Sequence, residues 1–417
     1  MADRLSSYQI SASSLNNILR FQAQVAKTSE QVSTGRKVVT PADDPVANSR
    51  ILQLDQEIAL GAQYEKNIDS LRGRLEYQES IMVGMETVLQ RVRELTVAAG
   101  NGTTTIADRQ AYAAEIKLRA DEFLQQVNSK DASGEFLFSG FSGQTQAFVK
   151  NPGGGFTYQG DEGQRLIRIS NSNSVPVSDN GKDIFLDVPV KKPSFYTYAS
   201  ELNRGQPVGV ISQGIIADQE AFSAFFPEDA IITFNNELDI EPPGPNFTVR
   251  QRSDGKVIEG LANQAYFPGM QVGFAGLQIG VTGNPAPGDS FVVESAKKQG
   301  PLYTMERLVG GLMTLGDSAE DTAKVATLLA DSLDNIDAAI ENVSIYRSKI
   351  GARLNTAETT KDIHMDLGLV AKDVRSNLAD IDYAEAVSRL QMETLALEAA
   401  QQTYVKVASL TLFNFLR

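Results

Sequence analysis

Apolar side chains recur every three or four positions over long stretches at both ends of the chain. This alternation is typical of helices that present a narrow apolar seam to a partner helix, as in a coiled coil. The first helix carries Leu15, Ile18, Val25 and Val32 in one stripe. A second, longer series is interrupted by the polar Gln78 and comprises Tyr64, Ile68, Leu71, Leu75, Met82, Met85, Leu89 and Val92.

Three further series extend this pattern on both sides of the middle of the chain. We predict from them that nearly all of the N-terminal and C-terminal thirds are helical, and that each series faces a partner helix. The series are Ile106, Ala113, Ile116, Ala120, Phe123 and Val127; then Leu329, Leu333, Ile336, Ile340, Val343, Ile350 and Leu354; and finally Ile363, Leu367, Val370, Val374 and Leu378.

Capping residues mark where these helices begin. Asp44 is placed to cap a helix whose first residue is Pro45, where the missing N–H has no cost. Thr105 with Asp108, and Ser318 with Asp321, have the spacing of a capping box. If residues 45–99 form one helix, its length is about 80 Å, which predicts a rod.

The middle of the chain, residues 131–301, has a different composition. It holds 13 of the 15 prolines, 22 of the 33 glycines and 15 of the 19 phenylalanines. So many breakers exclude long helices, and the phenylalanines suit the cores of sheets. The clearest predicted strands are "EFLFSGF", "RLIRIS", "AIITFNN", "SFVVES" and "NFTVRQRSDGKVIEG", the last with a hairpin turn at Gly255. One β-domain and two smaller ones are both compatible with this segment.

These patterns predict an α+β multidomain protein. Long N- and C-terminal helices would pack as an antiparallel, coiled-coil-like rod, with a central, mainly-β insert. We expect an inner terminal helical domain from residues 1–40 and 380–417, and an outer helical bundle from 41–130 and 302–379. Residues 131–301 would form a β-rich surface domain. The chain would leave along the rod and return, so that its two ends meet.

Composition narrows the classes of function. The chain of 417 residues has a formal charge of -14, which argues against nucleic-acid binding, and it has no cysteine for thiolate sites. No apolar run approaches the ~20 residues that a membrane-spanning helix needs. Hydrophobic content of 42% and charged content of 22% are those of an ordinary folded protein. The N-terminus lacks the apolar block of a cleavable signal peptide.

Candidate catalytic groups are sparse. The single histidine, His364, is expected on a helix as a surface or seam residue. The segment "NPGGGF" lacks the context of a phosphate loop and is interpreted as a turn. The adjacent Asp43 and Asp44 are better explained by capping than by metal binding or acid–base chemistry. We predict no enzymatic activity, no catalytic residue, no metal site and no cofactor.

Two segments at opposite ends of the chain resemble the flagellin superfamily of bacterial flagellar axial proteins. "LNNILRFQAQVAKTSEQVSTGRKVVTPADDPVANSR" is similar to the N-terminal signature, with its Ser-Thr-Gly-Arg turn and Asp-Asp motif. "NLADIDYAEAVSRLQMETLALEAAQQTYVKVASLTLFNFLR" is similar to the C-terminal signature. "NSKDASGEFLFSGF" and the Asp-Asp-Pro-Val-Ala sequence depart from flagellin itself. They are similar to the junction members of the superfamily, which lie between hook and filament.

The resemblance implies why the first helix stops so early. In this family the end segments form an inner tube around an export channel, and the next helices form an outer tube. The spoke between the two would comprise Gly35, Arg36, Pro41, Asp43, Asp44 and Pro45. We expect the returning spoke at residues 380–382, beside the first, with Arg36 or Lys37 paired to its carboxylates.

The resemblance also implies a structural function with several partners. The chain would form an oligomeric ring of its own copies that joins the hook-side junction protein (hook-associated protein 1) to the flagellin filament. It would be secreted through the flagellar export apparatus without signal cleavage and contact neither membrane nor nucleic acid. An export chaperone, and later the neighbouring copies, would bind one face of the last helix. That face comprises Leu390, Leu397, Tyr404, Val407, Leu410 and Phe413.

Further expectations concern the ends and the insert. We expect both end helices to be loosely ordered in the monomer, because two isolated helices bury only a thin seam. One alternative function is a flagellin-type filament subunit. Another is a secreted surface protein whose insert acts on or binds a ligand, for example a carbohydrate. Its candidate contacts are Tyr158, Phe195, Tyr196 and Tyr198.

Overall fold

The computed structural model describes residues 7–415 and contains long helices at both ends of this range. The helices are α1 (Ser7–Thr34), α2 (Pro45–Ala99), α3 (Ile106–Val127), α4 (Gly181–Phe185), α5 (Gln219–Phe225), α6 (Pro301–Thr314), α7 (Ala319–Ala379) and α8 (Tyr383–Phe415). The prediction of long terminal helices around a β-rich middle is confirmed.

The strands of the described part all lie between α3 and α6. They are β1 (Phe148–Lys150), β2 (Phe156–Tyr158), β3 (Leu166–Arg168), β4 (Ser174–Pro176), β5 (Pro189–Ala199), β6 (Val210–Ile211), β7 (Ile215–Ile216), β8 (Ala230–Phe234), β9 (Asn246–Gln251), β10 (Gln264–Ala265), β11 (Gln271–Phe274), β12 (Leu277–Thr282) and β13 (Ser290–Lys298).

Two long helices begin at the caps that the sequence predicts. The Asp44 carboxylate accepts hydrogen bonds from the amides of Val46 (3.1 Å) and Ala47 (2.9 Å), directly before α2. At α3 the capping box is complete. The Thr105 hydroxyl accepts from the Asp108 amide at 3.2 Å, and the Asp108 carboxylate accepts from the Thr105 amide at 3.0 Å. These bonds satisfy amides that have no partner inside the helix.

The start of α7 has only half of its predicted capping box. The Ser318 hydroxyl accepts from the Asp321 amide at 3.0 Å, but the Asp321 carboxylate accepts from the Gly316 amide instead. The same loop receives Arg109 of α3, whose guanidinium donates to the Gly316 carbonyl (3.0 Å) and to the Asp317 carboxylate (2.6 Å). A buried arginine at an otherwise apolar position of α3 is thereby paired.

Residue contacts divide the chain into two compact units. The first unit comprises Met1–Asn67 and Thr359–Arg417, and the second comprises Ile68–Glu358. The boundaries fall inside α2 and α7. The inner, outer and surface domains expected from the sequence are defined by their place in an assembly of many copies. Contacts within one chain do not test that division, which stays a prediction.

The helical seam of the second unit forms one apolar core. The seam residues of α2 from Ile68 to Val92 are buried, as are Phe123 and Val127 of α3 and Ile336, Val343 and Ile350 of α7. Gln78 is fully buried in the same row, and neither of its amide atoms has a hydrogen-bond partner among the described residues. The predicted seam in this unit is therefore confirmed, including its polar exception.

The first part of the insert has no core of its own. Phe138, Phe148 and Phe185 belong to the same apolar cluster as the helices. Phe185 lies edge-on to Phe123 of α3, with ring centroids 5.7 Å apart, and to Phe138 at 5.0 Å. Edge-to-face pairs of this kind add to the stabilisation from burial alone. Residues 137–188 are therefore packed as an extension of the helical core.

The second part of the insert is a two-sheet structure with a separate core. One sheet has five antiparallel strands in the order β10-β9-β8-β13-β5, and the other joins β11, β12, β6 and β7. Side chains that alternate inward, such as Phe195, Ile232 and Phe291, form an apolar cluster distinct from that of the helices. Since residues i and i+2 share a face, the intervening residues of β5, β8 and β13 lie on the opposite face.

A buried arginine joins this sheet to α6. The Arg307 guanidinium lies 4.2 Å from the centroid of the Phe195 ring and donates to the Ser194 hydroxyl (2.9 Å) and to the Phe195 carbonyl (2.5 Å). Further acceptors are the Gln299 side chain (3.2 Å) and the Gln213 carbonyl (3.4 Å). Burial lowers the pKa of Arg307 to about 10. The group therefore stays charged at neutral pH, held by neutral acceptors.

Two of the predicted strands are absent from the described structure. The segment "EFLFSGF" forms turns, with an isolated bridge between Lys130 and Phe136. Gly255 has the expected positive φ, at 72°, but the returning arm of its hairpin is reduced to a bridge between Arg250 and Val257. In the first case the apolar side chains are used to extend the helical core, so their burial does not require a ladder.

Candidate assembly surface

The end of α1 and the start of α8 are joined by a short antiparallel pairing. Gly35 has φ 69°, which ends α1, and Arg36 forms a β-bridge with Asp380. The Lys37 amide donates to the Ala379 carbonyl (2.7 Å), and the Ile381 amide donates to the Gly35 carbonyl (3.0 Å). The two predicted spokes thus lie side by side, through backbone hydrogen bonds.

Close contact explains the glycine at this position. A Cβ on Gly35 would lie 2.8 Å from the Tyr383 hydroxyl oxygen, and the left-handed conformation disfavours any residue that has a Cβ. Tyr383, the first residue of α8, was not predicted as part of this connection. Only its position directly after Asp382 in the sequence could have pointed to it.

A compact turn follows, over residues 40–43. Pro41 is its second residue, and the Asp43 amide donates to the Thr40 carbonyl at 3.0 Å. The Asp43 carboxylate accepts from the Thr40 amide (2.8 Å) and hydroxyl (3.0 Å) and pairs with Lys27 at 2.7 Å. The hydrogen bond from Lys27, followed by those from Thr40, holds the pKa of Asp43 well below its ordinary value. Asp43 is thus a structural carboxylate.

The expected ion pairs of Arg36 or Lys37 are not found among residues 7–415. Asp380 instead accepts from the Ser376 hydroxyl at 2.6 Å. Asp382 caps α8 by accepting from the amides of Ala384 (2.9 Å) and Glu385 (3.3 Å). Both carboxylates therefore serve the ends of their own helices, and the ion pair of this connection is Lys27–Asp43.

Along α1 and α8 the predicted seam is only partly covered. Ile18 is buried and Val25 and Val32 are half-buried, whereas Leu15 is exposed. On α8, Leu390, Leu397 and Tyr404 are half-buried. The side chains of Val407, Leu410 and Phe413 lie outside the described residues. Exposed apolar side chains remain on the other faces of both helices, including Leu19, Val387, Met392 and Leu395.

The prediction that the last series of α7 faces a partner helix is wrong for four of its five residues, whereas the fifth, Leu378, is half-buried. Ile363, Leu367, Val370 and Val374 are 38–62% exposed and form a stripe on the helix surface. We call these four residues the α7 stripe. The stripe begins at Ile363, one residue before the position at which the preceding seam of α7 would continue. A shift of one residue turns the direction of a helical side chain by about 100°. The stripe is therefore rotated away from the packed face.

Between residues 363 and 374, the packed face of α7 is made of small and polar side chains. It includes the half-buried His364, Gly368 and Ala371. The His364 ring stacks on Tyr64 with centroids 5.1 Å apart, so the single histidine is a seam residue, as predicted. Nearby, Arg375 pairs with Asp55 at 2.5 Å. Over residues 363–374, small and polar side chains form the inner face of α7, and the large apolar side chains are exposed.

The first unit therefore exposes apolar side chains on each of its helices. Large exposed apolar patches on folded proteins mark sites of interaction. We define the assembly surface as the α7 stripe together with Leu15 and Leu19 of α1, Leu52 and Leu60 of α2, and Tyr383, Val387, Met392 and Leu395 of α8.

Within residues 7–415, candidate sites for other chemistry are few. The described side chains contain no group of three or more potential metal ligands, and no described helix is apolar enough to cross a membrane. The segment "NPGGGF" is a turn, in which a Cβ on Gly154 would lie 2.3 Å from the Ile211 carbonyl oxygen. Of the proposed ligand contacts, Phe195 is fully buried, so that part of the prediction is wrong. Tyr158, Tyr196 and Tyr198 are half-buried along one groove.

Comparison with known families matches both ends of the chain. The bacterial flagellin N-terminal helical region matches residues 5–142, and the bacterial flagellin C-terminal helical region matches residues 333–416. Together these matches span somewhat more than half of the chain. A flagellin of Escherichia coli K12 is 29% identical over 122 residues, which is 29% of this chain and 24% of that flagellin.

Other relatives match the whole chain. Flagellar hook-associated protein 3 of Salmonella typhimurium is 22% identical over 414 residues, covering 99% of this chain and 100% of the relative. The crystal structure of flagellar hook-associated protein 3 from Legionella pneumophila is 27% identical. It superposes with a TM-score of 0.54 over 79% of this chain and 98% of that one. The chain therefore belongs to the bacterial flagellin superfamily, in the group of the flagellar hook-associated proteins 3.

Proposed function

We propose that this chain is a structural subunit of the bacterial flagellum, at the junction between hook and filament, and that it is not an enzyme. The observation that carries the proposal is the α7 stripe. Four large apolar side chains lie in one row on the surface of a helix whose inner face, about 100° around the axis from the row, is already packed. A row of this kind suits the seam of a neighbouring copy.

The stripe contributes part of the free energy that a specific contact needs. Its side chains are 38–62% exposed, so covering them contributes about 1 kcal/mol each. The whole assembly surface has twelve such side chains, and association costs must be subtracted from their sum. Contacts with several neighbours in a ring would add further burial per copy.

The connection between α1 and α2 would then be the spoke between two helical layers. Gly35, Arg36, Pro41, Asp43, Asp44 and Pro45 have the features of a fixed corner: a positive φ, a proline turn, a paired carboxylate and a helix cap. Because the returning chain is hydrogen-bonded to it, both spokes would move as one. The end helices would line the inner tube and the remaining helices would surround it.

The partners follow from this position. They would be copies of the chain, the hook-side junction protein and flagellin, with an export chaperone and the export apparatus before assembly. Leu390, Leu397, Tyr404, Val407, Leu410 and Phe413 would form the chaperone-binding face, and later a contact with neighbouring copies. The protein would act outside the cell, exported without signal cleavage. Its end helices would become fully ordered only in the assembly.

Deletion of the gene, followed by complementation, tests the function. We expect a deletion strain to make normal hooks and to lose flagellin into the medium as monomer. Short or absent hooks would place the chain earlier in assembly. Filaments that still grow would show that the chain is not an essential junction. If the chain is abundant in purified flagella, where a junction protein is a trace component, it is a filament subunit.

Complementation with matched variants tests the surface. Leu367→Asp changes the α7 stripe at a side chain that is 60% exposed, and Leu369→Asp makes the same change at one that is 64% exposed. Two residues apart on a helix, they point in nearly opposite directions. We expect Leu367→Asp to release flagellin as the deletion does, and Leu369→Asp to restore filaments. Normal filaments with Leu367→Asp, in a protein with unchanged circular dichroism, would contradict the assignment.

A further inference from the structure

An open groove of about 1330 Å³ lies in the second unit, along the face of the five-stranded sheet opposite its core. The strand register determines which side chains form the floor of the groove. Tyr196 and Tyr198 of β5 are paired with Glu294 and Val292 of β13, and Val292 is paired with Ile231 of β8. All five line the groove, because side chains at paired positions share a face.

Aromatic side chains form much of the wall. The β1–β2 hairpin supplies Phe156 and Tyr158, and α6 supplies Tyr303, whose ring lies 4.6 Å from that of Tyr196. Tyr196 and Tyr303 pack against each other in the lining of the groove. Tyr158 and Tyr198 line it from the hairpin and from the sheet, so that the two rings come from different elements.

The tyrosine hydroxyls are held by the protein itself. The Tyr198 hydroxyl donates to the Glu294 carboxylate at 2.9 Å, and that of Tyr158 lies 2.9 Å from the Asp161 carbonyl oxygen. Burial raises the pKa of Tyr158 to about 12, so its phenol stays protonated. With their polar ends fixed, the rings have a set orientation in the lining of the groove.

The charges along the groove are largely compensated. Glu162 pairs with Lys182, and Asp187 pairs with Lys298 at 2.7 Å. Asp161 accepts from the amides of Phe141 and Gly163 and from the Ser142 hydroxyl. Among the described lining carboxylates, Asp161 and Glu201 make no ion pair, and Asp161 is held by those neutral donors instead. Such a surface favours a neutral ligand over a strongly charged one.

The strands that form the floor of the groove cannot bind a peptide as an additional β-strand. β8 and β13 have hydrogen-bonded neighbours on both sides. The outer edge of β5 is occupied at Thr197 by Gln213, whose side chain accepts from the amide (3.3 Å) and donates to the carbonyl (2.9 Å). Since a bound strand needs free backbone groups, a ligand here must be recognised by side chains.

We propose that this groove binds a neutral oligosaccharide. The apolar faces of pyranose rings stack on flat aromatic rings such as those of Tyr158 and Tyr198. The paired carboxylates and ammonium groups supply acceptors and donors for sugar hydroxyls. The groove exceeds the range of about 300–1,000 Å³ that is usual for small-ligand sites, which suits a chain of several sugar rings. The inference is independent of the junction function.

Calorimetry and saturation-transfer NMR on the full chain test the proposal, with cellohexaose, maltohexaose and chitohexaose as probes. We expect at least one to bind with a Kd of about 5 mM or tighter. Tyr198→Ala should weaken that binding about tenfold or more, whereas Tyr198→Phe, which keeps the ring, should change it less than about threefold. Ser200→Trp, which obstructs the groove from its rim, should also abolish binding. Phe267→Ala removes an exposed aromatic side chain outside the groove and should have no effect.

The opposing outcomes are distinct. If none of the three probes binds, or if Tyr198→Ala and Ser200→Trp bind as well as the parent chain, the proposal is wrong. Preferential binding of decalysine would make the groove a site for cationic peptides, and preferential binding of a heparin hexasaccharide would make it an anion site. Either would overturn the neutral-sugar assignment. Unfolding curves show whether Tyr198→Ala or Ser200→Trp has lost its fold. If one of them has, the binding measured for the other tests the proposal.

Discussion

Gln78 offers the sharpest test of how the helical core is stabilised. It occupies a seam position of α2 between Leu75 and Met82, and all three side chains have no exposed surface. Neither the amide nitrogen nor the amide oxygen of Gln78 has a hydrogen-bond partner among the described residues. The core therefore contains a polar group that has lost its hydrogen bonds to water without replacing them.

Replacing this amide should stabilise the second unit. An unsatisfied buried polar group costs about 1–3 kcal/mol. Methionine follows the same unbranched path, has a similar helix propensity and needs no hydrogen bond. We expect Gln78→Met to raise the free energy of unfolding by about 1–3 kcal/mol. For a unit of this size each 1 kcal/mol raises Tm by roughly 2–4 °C.

Native-state hydrogen exchange on the α2 amides is the suitable assay, because a chain with two units need not unfold in one step. Two control variants bracket the effect. Gln90→Met, at an exposed position of the same helix, should change the free energy by less than about 0.5 kcal/mol. Leu75→Gln adds a second buried amide and removes apolar contacts, so it should destabilise by at least about 3 kcal/mol.

The result that would refute this reasoning is a loss of stability. If Gln78→Met lowers the free energy of unfolding by more than about 1 kcal/mol while Gln90→Met is neutral, the amide is satisfied in solution. A bound water with two or more polar contacts would be the physical explanation. Gln78 would then stabilise the helical core through polar contacts instead of destabilising it.

Three further predictions concern other contacts. Asp179 is almost fully buried and accepts two hydrogen bonds from Arg353, at 2.7 and 2.8 Å. Asp179→Ala should therefore lower the free energy of unfolding by about 3–5 kcal/mol in denaturant titrations, and adding Arg353→Met should recover part of the lost stability. Gly35→Ala should accelerate hydrogen exchange in α1 by an amount equivalent to about 1–2 kcal/mol, whereas Gly61→Ala, inside α2 with no neighbouring atom near the added Cβ, should stabilise slightly. The pKa of Asp43 is lowered, so its contribution to stability is complete above the ordinary Asp pKa and is lost as pH falls through the lower folded value. A carboxyl NMR titration should place the midpoint of Asp43 below 3.8, and a midpoint at or above 3.8 would contradict the ion pair with Lys27.

Local signals in the sequence determined the helices closely. The predicted helix over residues 45–99 coincides with α2 (Pro45–Ala99). The caps at Asp44 and Thr105 form the predicted hydrogen bonds. Such features depend on residues within one turn of each other, so no knowledge of the rest of the chain is needed. The same holds for the turn that contains Pro41 and for the break at Gly35.

Interactions between distant segments could not be obtained in this way. The sequence brought Tyr158, Tyr196 and Tyr198 forward only as aromatic residues, and strand register decided that they share a groove while Phe195 is in the core. The segment "EFLFSGF" has the composition of a strand, yet its side chains are buried against helices. Burial satisfies apolar side chains in either arrangement, so composition alone cannot distinguish the two.

By itself, then, the sequence determined where the helices begin, the β-rich character of the middle and the resemblance of both ends to the flagellin superfamily. Only the tertiary structure decided which faces are covered. On α7 the 3-4 pattern continues through Val374, but the packed face passes through His364 and Gly368 instead. Periodicity gives the width of an apolar face, whereas its direction depends on where the partner helix lies. A difference of one residue turned a predicted seam into an exposed stripe.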